Sequence, residues 1–195
     1  MIEHMCVNVG SGKGHNNKGD WIYVDYKNKL GLTDYIVDVS YEPLPFKNNS
    51  IDILFSSHLL EHIRDDRLNF VVSEFYRVLK PKGYMRISVP DLLTITMLYF
   101  SKNIDRFKEL ETPYRETNTL VGEYFVDLLY SLRAGNKTGG HINMFDYDML
   151  WKLFNEHGFV NIKRSSYMNS DSTMYVNVGM QDVRPNISMF VEAWK

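Results

Sequence analysis

The sequence has a single cysteine, Cys6, among 195 residues. One thiol excludes an internal disulfide and any zinc cluster built on cysteines, and it suits a reducing compartment. Charge of one sign is also missing: 22 Lys+Arg stand against 24 Asp+Glu, a formal net charge of -2. There is no global basic footprint for gripping nucleic acid. No apolar run approaches the ~18–20 residues of a membrane-crossing helix. The opening residues MIEHMCVNVG lack the basic start and long apolar stretch of a secretory signal. Internal repeats and low-complexity segments are absent. What remains, 44% hydrophobic and 24% charged, is apolar enough for a sizeable core and excludes disorder over most of the length. The length fits one domain, 1–195, with a cytoplasmic location expected. Thirteen tyrosines in a 14% aromatic composition hint at a surface that stacks on something.

Apolar runs and their punctuation then predict the elements. Met5–Val9 reads as a buried strand ending in the tight turn Gly10-Ser11-Gly12-Lys13-Gly14. Trp21–Tyr26 and Tyr35–Val39 are strands with an aspartate near each carboxyl end, and Ile51–Phe55 is a fourth. Leu68, Val71, Val72, Phe75 and Leu79 carry helical spacing, stopped by Pro81-Lys82-Gly83. Tyr84–Val89 is a fifth strand. Leu92–Phe100, Thr119–Leu132 and Asp146–Glu156 read as helices, the last closed by His157-Gly158. Val160–Tyr167 and Ile187–Trp194 are final strands with a loop between them. The alternation predicts an α/β fold: a Rossmann-like, doubly wound sheet of about seven strands, mostly parallel, with an antiparallel C-terminal strand and a helical insertion. In such sheets ligands bind outside the carboxyl ends of the strands, where the acids and glycines gather.

Gly10, Gly12 and Gly14 let backbone approach a ligand closely and present N–H groups. Asp25, closing the second strand, is placed to accept hydrogen bonds from two ribose hydroxyls. Asp38 could do the same for an exocyclic amine. Each aspartate alone could simply terminate its strand; the order glycine turn, strand–Asp, strand–Asp is what points to a nucleoside. A phosphate-binding P-loop is excluded, because no glycine precedes Gly12-Lys13 at the required spacing and Gly14 stands in place of Ser/Thr.

VNVGSGKG, WIYVD, VDVSYEPLPFKNNSIDILFSSHLLEHI, EFYRVLKPKGYMRISVPDL and HINMFDYDMLWKLFNEHGF together resemble the class I S-adenosylmethionine (SAM)-dependent methyltransferases. The nearest likeness is to the methyltransferase type 11 group found among polysaccharide-assembly enzymes. The resemblance implies a seven-stranded sheet with the last strand antiparallel. It implies that the turn Gly10, Ser11, Gly12 and Gly14 holds the methionine part of SAM, Asp25 the ribose, and Asp38 with Val39 the adenine. Ser56 and Ser57 would line the sulfonium end. Asn8 stands where the family carries an acid, which weakens the expected contact to the methionine amino group. Only about ten residues join Gly14 to Asp25, so the first crossover helix is expected to be very short or missing.

His58-Leu59-Leu60-Glu61-His62 follows the fourth strand. On a helix beginning near Ser57, His58 lies one turn from Glu61 and His62, so the three share a face. Two imidazoles and a carboxylate suit Zn, Fe, Mn, Co or Ni better than Mg alone. His141, after Gly139-Gly140, is expected to fold back over the strand ends. This segment is similar to the Glu-x-x-Glu-His stretch of plant-type small-RNA 2′-O-methyltransferases and some quinone O-methyltransferases. That likeness implies a divalent ion (Mn, Mg, Zn or Co) bound by His58, Glu61, His62 and His141. A metal of this kind lowers a hydroxyl's pKa and fixes a diol for attack. The other reading of the same residues is a helix-dipole contact, with His58 or His141 as a metal-free general base.

Residues 92–140 exceed what the core fold needs and are expected to cover the acceptor. Their aromatic residues Tyr99, Phe100, Phe107, Tyr114, Tyr124, Phe125 and Tyr130 suit sugar rings, although Phe125 and Tyr99 read better as helix core. Asp91 either contacts acceptor hydroxyls, as a catalytic residue beside His58, His62 and His141, or caps the next helix. The expected activity is methyl transfer to a hydroxyl of a sugar, a nucleotide-sugar or a glycan. Two rivals are a non-catalytic SAM-binding module and a zinc peptidase, since His58-x-x-Glu61-His62 matches H-x-x-E-H. His4 and His15 read as surface residues and His157 as a helix-end residue.

Overall fold

The structure is a computed structural model that describes residues 4–12, 20–28, 31–102, 105, 120–130 and 140–195. Its centre is a seven-stranded sheet in the order β3-β2-β1-β4-β5-β7-β6. The strands are β1 Cys6–Val9, β2 Trp21–Asp25, β3 Tyr35–Ile36, β4 Ile51–Ser57, β5 Leu79–Pro90, β6 Val160–Ser165 and β7 Ser188–Trp194. β1, β2, β3, β4 and β5 run parallel, and β7 is antiparallel to both its neighbours. This is the mostly parallel, doubly wound sheet with an antiparallel end that the sequence predicts. The order reverses between β1 and β4, and a ligand crevice opens at such a point.

Period-two alternation sorts the strand residues onto two faces. Val7, Val9, Val24, Leu54, Met85, Ile87, Val89 and Val191 meet α1 (Asp65–Val78) and α4 (Tyr147–Glu156) through Val71, Val72, Phe75, Val78, Leu150 and Phe154. Burying each of these larger apolar side chains contributes roughly 1.5–3 kcal/mol. On the opposite face Cys6, Trp21, Tyr23, Ile53, Phe55 and Tyr84 pack against Tyr175 of the five-residue helix α5, Thr173–Asn177. Burial, with the charges of Asp52 and Asp20, pushes the Cys6 thiol up to about 12, so this lone cysteine is an inert core residue.

Several boundaries differ from the sequence expectation. β3 ends at Ile36 and not at Val39, because the chain turns at Asp38, whose carbonyl accepts from Tyr41 N (2.9 Å) and Glu42 N (2.8 Å). α1 starts at Asp65, and the chain passes from it directly into β5. Pro81-Lys82-Gly83 is an irregularity inside β5, with Lys82 at φ 66° and the pairing resuming at Ile53↔Tyr84. The expected loop between the last strands contains α5, started by Ser172, whose hydroxyl accepts from Tyr175 N at 3.2 Å. α2 (Leu92–Ser101) and α3 (Val121–Tyr130) occupy the insertion, where Tyr99 and Phe125 lie with ring centroids 4.5 Å apart. Phe125 packs against the small cluster of Ile95, Tyr124 and Ile187, while Tyr99 is 39% exposed rather than core. Phe107, Tyr114 and the side chain of Tyr130 lie outside the described residues, as does most of the β1–β2 connection with its expected missing helix.

Candidate active site

Because β1, β2, β4 and β5 are parallel, their carboxyl ends share one edge of the sheet. The start of antiparallel β7 joins them there, with Ser188 opposite Pro90. Two groups of residues meet on this edge.

The first surrounds the glycine turn. Gly10 N and Ser11 N both donate to Val24 O, at 2.8 and 3.2 Å. Gly10 holds φ 74°, a conformation L side chains rarely adopt, and a Cβ there would press on Leu59 atoms at 3.0 Å. Gly12 holds φ 62° with open space where a Cβ would project. The Asp25 carboxylate is 5% exposed and accepts from Gly12 N (2.7 Å) and Lys27 N (3.1 Å). It ties the turn to the end of β2. Asp38 is exposed and accepts from Ser40 N at 3.1 Å, while Val39 beside it is buried. Ser56 is 1% exposed, and its hydroxyl and that of Ser11 are buried without a hydrogen-bond partner among the described residues. Ser57 accepts from Ser88 Oγ at 2.7 Å. Asn8 is buried at 5% exposure. Two unpaired buried hydroxyls, an open left-handed glycine and a carboxylate thus gather at the carboxyl ends of β1, β2 and β4, where ligands of such sheets bind. Gly14 and His15 lie outside the described residues.

The second group follows β4, and here the sequence expectation needs correcting. No helix starts near Ser57. β4 runs through Ser57, His58 adopts a left-handed conformation (φ 53°), and Leu60–His62 forms a single 3-10 turn before α1. His58, Glu61 and His62 therefore do not lie on one helix face. Glu61 is fully buried, with His58 Nδ1 2.9 Å and His141 Nε2 3.9 Å from its Oε1. The His58 contact lies off the N–H direction, so both Glu61 oxygens lack a directed hydrogen bond. Glu61, His62 and His141 bring one possible metal-ligand atom each within 4.8 Å of one another. The His62 and His141 rings meet edge to face at 5.0 Å. His62 Nδ1 donates to Gly140 O at 3.3 Å, which leaves its Nε2 lone pair free. His58 stands apart from that trio, with Nε2 2.8 Å from Ser188 Oγ. The H-x-x-E-H peptidase reading loses its geometry with the helix that would have carried it.

The electrostatics agree with a cation. Burial pushes the Glu61 carboxyl up, but the His58 contact and the neighbouring His58, His62 and His141 imidazoles outweigh it, holding Glu61 below the ordinary carboxylate range. Burial, opposed by Glu61 and aided by His62, His58 and Arg184, brings His141 down to about 4. A neutral imidazole beside an ionised carboxylate is the donor set a borderline divalent ion takes. A buried carboxylate with neither oxygen hydrogen-bonded otherwise costs several kcal/mol.

Backbone hydrogen bonds hold the His141 strap in place: Ile142 N and Asn143 N donate to Glu61 O (2.8 and 3.0 Å), and Asn143 Nδ2 donates to Ile63 O. A cavity of about 400 Å³ opens beside it, lined by Arg64, Asp65, Asp66, Ile142 and Asn143. Asp91 caps α2 through Leu93 N (3.2 Å) and Thr94 Oγ1 (2.8 Å) and also pairs with Arg164 at 2.8 Å. Its carboxylate is occupied by these partners. His4 lies 3.9 Å from Asp52, and His157 bridges Leu153 O and Asn69 O at the end of α4. Ser188, Asn143, Arg164 and the Gly140 carbonyl were not legible as site residues: no local pattern marks them, and each reaches the edge only through the strand order.

Residues 23–87, about a third of the chain, match the family described as methyltransferase domain. No curated protein matches the chain in sequence. Among solved structures, a SAM-dependent methyltransferase from Archaeoglobus fulgidus is 14% identical with a TM-score of 0.57, covering 100% of this chain and 87% of its own. An S-adenosylmethionine-dependent methyltransferase from Mesorhizobium loti is 15% identical, with a TM-score of 0.55 and coverage of 98% and 90%. The Burkholderia thailandensis 1,6-didemethyltoxoflavin-N1-methyltransferase, solved with bound 1,6-didemethyltoxoflavin and S-adenosylhomocysteine, is 14% identical, with a TM-score of 0.53 and coverage of 98% and 70%. These structures share the fold. Among the described residues no helix is long and apolar enough to cross a membrane. Residues 23–87 thus carry the pattern of a methyltransferase domain, on a fold that solved SAM-dependent methyltransferases share.

Proposed function

We propose that the chain transfers the methyl group of SAM to a hydroxyl of a sugar, whether free, in a glycan or in a nucleotide-sugar. A divalent cation held by Glu61, His62 and His141 would grip a vicinal diol of that acceptor. The observation that carries this reading is Glu61, a fully buried carboxylate beside three imidazoles with neither oxygen in a directed hydrogen bond. In it Gly10, Ser11, Gly12 and Gly14 receive the methionine part of SAM, Asp25 its ribose, Asp38 and Val39 its adenine, and Ser56 and Ser57 the sulfonium end. Asp91 serves by fixing the start of α2. Residues 92–140 are assigned to the acceptor.

SAM supplies an electrophilic methyl group, and the cation supplies Lewis acidity and a template for two oxygens. The chain's own part is alignment, because the O–C bond forms in line as the S–C bond of SAM breaks, leaving S-adenosylhomocysteine and giving the hydroxyl proton to water. The strap hydrogen-bonded to Glu61 O keeps His141 in place for this. The polar lining of the neighbouring cavity, Arg64, Asp65, Asp66 and Asn143, suits a hydroxyl-rich acceptor. A metal-free route has less support: His141, held at about 4, is a weak base, and His58 Nε2 is already bonded to Ser188.

The test is label transfer from methyl-labelled SAM to a panel of sugars, nucleotide-sugars and glycans, before and after chelation. Transfer to a diol-bearing sugar is expected, lost in EDTA and restored by added Mn²⁺ or Zn²⁺. His62→Ala and His141→Ala should each lower turnover at least roughly a hundredfold. Undiminished turnover in excess EDTA would overturn the cation, and methylation confined to nitrogen or carbon acceptors would overturn the sugar.

A further inference from the structure

The sequence spacing groups His58 with the metal ligands, and the geometry separates it from them. Its side chain is 8% exposed. Its backbone N donates to Ser88 O at 2.8 Å, and its backbone is left-handed, with φ 53°. One ring nitrogen then lies 2.8 Å from Ser188 Oγ, and the other is pressed against Glu61 Oε1 at 2.9 Å. A metal-binding imidazole needs one nitrogen lone pair aimed at the ion; His58 Nε2 is taken by Ser188, its Nδ1 abuts Glu61 Oε1, and neither joins the ligand atoms that Glu61, His62 and His141 bring together. His62 differs, since its Nδ1 is bonded to a carbonyl and its Nε2 is free.

We propose that His58 and Ser188 are positioning residues for the cation site: Ser188 fixes the ring of His58, and the ring steers the Glu61 carboxylate toward His62 and His141. This rests on the cation reading above. The arrangement is a chain Ser188 Oγ, His58 Nε2, His58 Nδ1, Glu61 Oε1, in which the last member alone is a ligand. Outer partners of this kind set the orientation of a ligand and typically change metal affinity by 10–100-fold. Ser188 can take part because β7 is antiparallel. Its first residue lies opposite Pro90, on the same sheet edge as the end of β4. Nothing near Ser188 in sequence marks it, and the sheet order alone brings it to His58.

The experiment measures Zn²⁺ affinity by competition with a chromophoric chelator, and the absorption spectrum of the Co²⁺-loaded protein, which reports the ligands themselves. For Ser188→Ala and His58→Gln the proposal expects Zn²⁺ binding about 10–100-fold weaker, with the Co²⁺ bands unmoved. Ser188→Thr, which keeps the hydroxyl, should restore the affinity, as a loss from misfolding would not. His141→Ala should abolish binding or shift the Co²⁺ spectrum. If His58→Gln shifts the Co²⁺ bands as His141→Ala does, His58 is a ligand; the positioning proposal is then wrong while the cation reading stands. Unchanged Zn²⁺ affinity in Ser188→Ala overturns the proposal on its own. Wild-type protein that binds neither ion removes the cation reading and the proposal together.

Discussion

Asp25 has two structural tasks at the end of β2. Its carboxylate accepts from Gly12 N and Lys27 N, so it holds the glycine turn in shape, and in the function proposed above it also receives the ribose. Asp25→Asn keeps the size but exchanges an acceptor oxygen for a donor. It should weaken S-adenosylhomocysteine binding at least tenfold by calorimetry, a loss of about 1.4 kcal/mol or more. Losing charge-assisted bonds to backbone N–H should also lower stability by roughly 1.5–3 kcal/mol in urea titration. Unchanged affinity would remove Asp25 from the cofactor site. The sequence shows Asp25 as a strand-ending acid near glycines, and that was enough to select it. It does not show that the same carboxylate braces the turn, because that bond joins residues thirteen apart through the fold.

At the scale of elements, α1 does more than bury one face. Glu74 and Arg77 leave its polar side and grip the proline-bearing loop before β4. Glu74 accepts from Leu44 N (2.8 Å) and pairs with Arg77 (2.7 Å), and Arg77 donates to Leu44 O and Phe46 O. Burial pushes the Glu74 carboxyl up, but the Arg77 hydrogen bonds and charge and the Leu44 N–H outweigh it, so its pKa falls below the ordinary 4.5. A carboxyl depressed by folding contributes stability above 4.5, and that stability is lost as pH falls through the folded value. Glu74→Gln should therefore cost about 1–2 kcal/mol at pH 7. Below pH 4.5 the variant's stability should fall less steeply than wild type; parallel urea-midpoint profiles would contradict this. Apolar periodicity made α1 legible. The turn before it was not, because a left-handed histidine and a 3-10 turn leave no periodic trace. α5 was missed for a related reason: at five residues it is too short to show a helical stripe.

At the scale of the whole molecule, the chain after β6 returns across the sheet and is secured by one buried cation. Arg86 is fully buried on β5. It donates to both oxygens of Asp182 (2.7 and 2.5 Å), to Glu192 Oε1 (2.8 Å) and to Ser166 O (2.8 Å). Tyr175 donates to Asp182 and Tyr84 to Glu192. Removing the guanidinium leaves two carboxylates buried without it. Arg86→Met should destabilise by about 3–5 kcal/mol, read as a lowered urea midpoint. A loss below about 1 kcal/mol would mean that water replaces the guanidinium. Within Tyr84–Val89 the arginine looks like an ordinary outward-facing residue of an alternating strand. It is buried because residues from β6 to β7 cover that face.

What the sequence determined by itself is the part of the protein written in short-range order. Apolar periods identified the strands and α1, glycines marked the turn that requires positive φ, and acids closed strands β2 and, two residues beyond its end, β3. The order of these features along the chain led to the doubly wound sheet and to a nucleoside-type site, while the SAM-dependent class came from the resemblance of the motifs to a known family. What only the tertiary structure decided is which side chains meet at the edge after β4. Glu61 touches His58 from its own turn, but His141 arrives on a distant strap and Ser188 on a strand of opposite direction. Contacts between such segments depend on strand order and direction, and residue spacing along one segment does not encode them.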